Sequence, residues 1–240
     1  MKRFDFAFNR HYPQKHLIRN SAIRQVMESL YLRGLEYIEN LNPPLSDWLQ
    51  AIKKAGTNGK VPIVDDEMGL FLKLICSVHK PKSILEIGCG ISYSTHWMLT
   101  GWPNSHITAL DANHERLQQC ASFLKKSLCA DRVELVHGWA EEFFRANTKQ
   151  YDMVFLDSTK KEYIKLLEGC YKALNVRGIL VVDNIFFRGK VFGMTENQVK
   201  KYKHGVDLLK KFNEEIARYP GFECTFLPLG DGVLVAQRIY

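Results

Sequence analysis

The 240-residue chain is 46% hydrophobic and 25% charged, enough apolar content for one sizeable α/β core but short for two full domains. No stretch approaches the roughly 18 apolar residues that span a bilayer, and the opening MKRFDFAFNRHYPQKH lacks the apolar centre of a secretory signal. The formal charge of +7 is unevenly spread. Lys2, Arg3, Arg10, Lys15, Arg19, Arg24 and Arg33 face only Asp5 and Glu28, while Arg188, Lys190, Lys200, Lys201, Lys203, Lys210 and Lys211 face only Glu196 and Asp207. Such clusters suit either a polyanion partner or a plain solvated surface. Six scattered cysteines, without a CxxC pair, read as small buried hydrophobes in a reducing cytoplasm.

Residues 21–41 carry Ile23, Val26, Met27, Leu30, Leu35, Ile38 and Leu41 at helical spacing, and Asn42-Pro43-Pro44 stops the helix. Ser46 is a candidate N-cap for a short helix ending near Gly56, and GTNGK (56–60) reads as a loop. Residues 1–60 are thus expected to form a basic, helical N-terminal extension and residues 61–240 the main domain. From Val61 onward, apolar runs at Ser83–Ile87, His106–Leu110, Val133–Val136, Met153–Leu156 and Ile179–Val182 alternate with amphipathic stretches such as Ala112–Leu128 and Lys161–Leu174. That rhythm predicts a doubly wound, mainly parallel sheet. Phe222–Leu227, Gly230-Asp231-Gly232 and Val233–Ile239 predict a closing antiparallel hairpin.

Chemistry-bearing residues fall at strand ends. The first strand runs into Glu86-Ile87-Gly88-Cys89-Gly90-Ile91-Ser92-Tyr93-Ser94, with a helix expected from about Thr95. Glycines there let a ligand approach the backbone, and Asp111, closing the next strand, can accept ribose hydroxyls. A tight turn with a capping aspartate is the competing reading. The spacing fits neither GxGxxG nor a phosphate-binding GxxxxGK[ST], so a nucleoside without phosphates fits better than a dinucleotide or triphosphate. Two further strands end in Asp157 and in Asp183-Asn184. Two carboxylates and an amide oxygen suit a hard divalent cation and not zinc, although strand-end acids also cap helices.

The motifs LEIGCGISYS, YDMVFLDSTKKEY, GILVVDNIFFRGKV and LPLGDGVLVAQRI, spread from Val61 to Ile239, resemble those of the cation-dependent O-methyltransferases, the caffeoyl-CoA and catechol O-methyltransferase group. The resemblance implies a seven-stranded Rossmann-like sheet that binds S-adenosylmethionine. It implies Asp157, Asp183 and Asn184 as ligands of a divalent cation, Mg²⁺ first and Mn²⁺ or Ca²⁺ as alternatives. Lys160 would be the general base, with Lys161 its neighbouring competitor. Glu86, Gly88, Gly90, Ser94, Asp111 and Asp157 would line the cofactor, with Gly138-Trp139-Ala140 near the adenine. Departures from the family pattern are Ser92 for glycine, Ser158-Thr159 before the lysine and Phe187 for tryptophan.

A site that chelates two adjacent oxygens admits a small catechol or 5-hydroxyuridine in tRNA. Residues 37–67 look closer to the bacterial tRNA 5-hydroxyuridine methyltransferases, and the basic tracts agree, so tRNA is the preferred expectation. A small phenol is the alternative, and a non-catalytic RNA-binding protein on the same fold a distant one. Homodimers are common in the family; no membrane partner is expected.

Overall fold

The computed structural model describes residues 33–240. Two compact units emerge, one up to Leu45 and one from Ser46 to Tyr240. In the first, residues 33–41 are helical and expose Tyr37, Ile38 and Leu41. The remainder of the helix expected over 21–41, and the basic lead except Arg33, lie outside the described residues.

The second unit opens with α1 (Asp47–Gly59), whose N-cap Ser46 accepts a 3.5 Å bond from Leu49 N. Residues 56–59 are its last turn and not the expected loop. Thr57 Oγ1 donates to Lys53 O at 3.0 Å, and Gly56 is buried against Ile63 and Ile91, so the helix continues through both glycines. Lys60, in the left-handed region, then closes it. Because α1 packs on the helix that follows the first strand, the second unit begins before the boundary expected at residue 60.

The remaining elements are α2 (Asp66–His79), β1 (Ser83–Ile87), α3 (Tyr93–Gly101), β2 (His106–Asp111), α4 (His114–Lys126), a 3₁₀ turn (Ala130–Arg132), β3 (Val133–His137), α5 (Ala140–Ala146), β4 (Tyr151–Leu156), α6 (Tyr163–Ala173), β5 (Leu174–Val182), α7 (Glu196–Ala217), β6 (Phe222–Leu227) and β7 (Val233–Arg238). The sheet order is β3-β2-β1-β4-β5-β7-β6. The first five strands are parallel, and β7 and β6 add the antiparallel hairpin. The expected strands and the doubly wound class are all present.

Strand alternation sorts the core. Val154 and Leu156 face α6 and α7 through Leu166, Cys170, Leu209 and Phe212. Met153 points to the other face, where its sulfur lies 3.7 Å from Cys76 Sγ on α2. Each such fully buried side chain contributes about 1.5–3 kcal/mol relative to exposure. All six cysteines are free; burial pushes the Cys76 and Cys170 thiols up to about 12, which suits a packing role. Among the described residues no helix is long and apolar enough to cross a membrane.

Candidate active site

The parallel ladder continues just beyond the strands, and this aligns the functional residues. Gly88 N donates to Leu110 O (2.8 Å), Asp157 N to Ile87 O (2.9 Å) and Asp183 N to Leu156 O (3.2 Å). Gly88, Asp157 and Asp183 therefore stand abreast at the carboxyl end of the sheet, where open α/β folds bind ligands. The approach of the first two needs a glycine: a Cβ on Gly88, at φ +94°, would lie 2.0 Å from Asp157 O.

At the nucleoside end, Asp111 is nearly buried and holds the β1–α3 loop. Its Oδ2 accepts from Gly90 N at 2.9 Å, and its Oδ1 from Asn113 N at 2.8 Å. Gly138 N donates to Asp111 O at 3.2 Å, so Gly138-Trp139-Ala140 adjoins this acid; Trp139 is 57% exposed and Ala140 is buried. Glu86 lies fully buried behind the loop, accepting bonds from Ser94 Oγ (2.5 Å) and Thr95 Oγ1 (2.7 Å). Burial pushes its carboxyl up to about 7, with the two hydroxyls pulling the other way. Ser92, the departure from glycine, sits at φ 77°, and α3 begins at Tyr93, earlier than expected. Its carbonyl is 2.7 Å from His96 Nδ1, and His96 Nε2 is 2.7 Å from Ser127 Oγ. That bridge ties the strained loop to the end of α4.

At the chemical end, Lys160 Nζ donates to Asn184 Oδ1 (2.5 Å), Asp157 Oδ1 (3.2 Å) and Ser158 O (3.4 Å). Lys161 instead lies along α7, within 3.8 Å of where a Cβ on Gly205 would be, so Lys160 is the lysine at the acids. Asn184 takes φ 57°, a conformation asparagine tolerates better than most residues. Asp183 is 4% exposed and accepts from Asn184 N at 2.6 Å; burial first, then Asp157, hold its carboxyl above the usual range. The fully buried Tyr163 donates to Asp183 O at 3.1 Å and fixes that strand end.

The donor set fits a divalent cation. Among the described residues no three His, Cys, Asp or Glu side chains converge; the set here is two carboxylates and an amide oxygen, all hard donors. Two of these oxygens already hold a positive charge, the Lys160 ammonium. Two further acids that the sequence did not assign to the site are coupled to it by charge. Asp65 is the N-cap of α2, and its charge acts on Asp183. Asp231, read only as a hairpin-turn residue, accepts from Arg188 N at 2.5 Å and feels the charge of Lys160. The turn pins the 184–188 loop, with Ile185 N donating to Gly232 O and Phe186 N to Asp231 O. Phe187, in the tryptophan position, packs edge-on to Tyr202 of α7.

The seven-stranded sheet, with a glycine loop after its first strand and two carboxylates, an amide and a lysine gathered at its carboxyl end, is an α/β enzyme fold of the Rossmann-like methyltransferase type. The O-methyltransferase family profile matches residues 44–239, and the chain belongs to that family. It is an S-adenosylmethionine-dependent O-methyltransferase. It is 26% identical to tapetum-specific methyltransferase 1 of Arabidopsis thaliana, over 95% of this chain and 97% of that protein. It is 27% identical to caffeoyl-CoA O-methyltransferase 5 of Nicotiana tabacum, over 71% and 75%. The structure superposes on an SAH-bound methyltransferase of Podospora anserina with a TM-score of 0.79 at 24% identity, covering 89% of this chain and 97% of that one.

Proposed function

We propose that the enzyme methylates one of two adjacent oxygens on a small diphenol, with a divalent cation held by Asp157, Asp183 and Asn184. The observation that carries this reading is the convergence of those three oxygen donors with the Lys160 amine at the end of β4 and β5. When bound, the cation would supply Lewis-acid activation of a chelated hydroxyl. Lys160, within reach of the same oxygens, would accept the proton from that hydroxyl as the neutral amine, once its ammonium has released a proton to solvent beside the cation. Gly88, Gly90 and Asp111 shape the nucleoside loop, with Glu86 and Ser94 bracing it from behind and Trp139 and Ala140 flanking the adenine side. Asp157 joins the two ends, because its backbone abuts Gly88 and its carboxylate faces Lys160. Methyl transfer from a sulfonium is an in-line displacement, so much of the catalysis lies in holding acceptor and donor in register.

A diphenol leads because relatives matched along most of the chain carry caffeoyl-CoA names. One observation favours a second reading, 5-hydroxyuridine in tRNA: α7 carries Lys200, Lys201, Lys203, Lys210 and Lys211, of which Lys203 and Lys211 pair with Asp207 and Glu215. The remaining charges offer phosphate contacts. The test is methyl transfer from labelled S-adenosylmethionine to a 1,2-diphenol, to its 1,3-isomer and to tRNA containing 5-hydroxyuridine. Label in the 1,2-diphenol alone supports the first reading, and label in the tRNA alone replaces it with the second. Equal labelling of the 1,2- and 1,3-diphenols would sink the chelation rule.

A further inference from the structure

Lys160 occupies a position that a proton acceptor alone does not explain. Its amine is 2.5 Å from Asn184 Oδ1 and 3.2 Å from Asp157 Oδ1, so its hydrogens point at two of the three oxygens assigned to the cation. Both members of the Lys160–Asp157 pair are largely shielded, with side chains 20% and 23% exposed. Their attraction is therefore less screened than that of a surface pair. A divalent ion coordinates such oxygens at about 2.0–2.6 Å and repels an ammonium at the same place. The two cations therefore compete for these oxygens.

We propose that Lys160 is an internal counter-cation that competes with the divalent ion: its ammonium neutralises the acid cluster and loosens its hold on Asp157 and Asn184 when that ion enters. This rests on the reading of Asp157, Asp183 and Asn184 as metal ligands. The same amine also lies 3.4 Å from Ser158 O and 5.5 Å from the Tyr163 ring centroid, and its charge acts on Asp231.

Calorimetric titration of Mn²⁺ into wild type, Lys160→Met and Lys161→Met, each stripped of metal, tests the competition. A charge-assisted hydrogen bond given up on metal entry corresponds to Mn²⁺ binding about ten- to a hundredfold tighter once the lysine is gone. Lys161→Met, which removes the adjoining charge without touching the ligands, should stay close to wild type. In EDTA, Lys160→Met should melt lower than wild type, and its rise on adding Mn²⁺ should be larger. Should the methionine variant be insoluble, Lys160→Gln carries the same test. Unchanged or weaker Mn²⁺ binding by the Lys160 variants would overturn the proposal, as would equal tightening in Lys161→Met. Failure of wild type to bind Mn²⁺ would instead defeat the metal-site reading beneath it.

Discussion

Gly88→Ala tests how the fold joins the two ends of the site. The added Cβ would fall 2.0 Å from Asp157 O and 2.8 Å from its carbonyl carbon, where real Cβ contacts stay above 3.0 Å, so the ends of β1 and β4 must part by about 1 Å. Holding alanine at φ +94° costs about 1–2 kcal/mol. Relieving the overlap in a well-packed region costs about 1–3 kcal/mol more. The total, about 2–5 kcal/mol, corresponds to a melting temperature lower by roughly 5–20 °C for a domain of this size. The same displacement moves Asp157, so cofactor affinity and Mn²⁺ affinity should fall together. Gly193→Ala is the control, because an added Cβ there meets nothing within 4 Å, and it should change stability by no more than about 0.5 kcal/mol. Thermal unfolding by circular dichroism, with both ligands titrated, decides it. A Gly88→Ala protein that melts with wild type and binds both ligands normally would refute the reasoning.

Three other substitutions probe the electrostatics. Asp183→Asn removes a buried carboxylate held above its ordinary range, so it should raise the melting temperature in EDTA while abolishing the rise on adding Mn²⁺; a retained Mn²⁺ response would contradict the ligand assignment. Glu86 titrates near 7 when folded and near 4.5 when unfolded, so its contribution is fully present below about 4.5 and is lost as pH rises through 7. In urea unfolding between pH 5 and 8, wild type should therefore lose stability relative to Glu86→Gln as pH rises; parallel profiles would count against the burial argument. His96 has the opposite sign: burial lowers its folded value below 6.5, so its contribution is present above 6.5 and is lost as pH falls. Wild type should lose stability relative to His96→Gln on going from pH 7 to pH 5, and no difference would count against the burial of the His96 ring.

The parts of the fold legible in the sequence were those whose local pattern and tertiary role agree. Ser83–Ile87 and Phe222–Leu227 are apolar, β-rich runs with turn residues beside them, and both occur with the expected bounds. α7 was hidden because its long charged face dominates; its buried stripe of Val206, Leu209, Phe212 and Ile216 is legible only at helical spacing across 22 residues. GTNGK misled because glycine and asparagine signal turns, whereas burial of Gly56 against Ile63 and Ile91 keeps the helix going. At the site, Asp157, Asp183 and Asn184 could be picked out because strand ends place residues by register, which the alternating pattern reveals. Asp65 and Asp231 could not, since each reaches the site from a cap or a turn that only the tertiary fold brings there. Glu86 was read as lining the cofactor; its full burial within β1, and hence its bracing of Ser94 and Thr95, follows from strand pairing on both sides of β1.

The central claim is that methyl transfer runs on the oxygen-ligated cation at the ends of β4 and β5. It is tested most directly by measuring transfer of labelled methyl from S-adenosylmethionine to a 1,2-diphenol, with metal-stripped enzyme in EDTA and after Mg²⁺ or Mn²⁺ is restored. The prediction is transfer that disappears in EDTA, returns with the cation in wild type, and does not return in Asp157→Ala or Asp183→Asn. Transfer at an undiminished rate by the stripped enzyme in EDTA would contradict it.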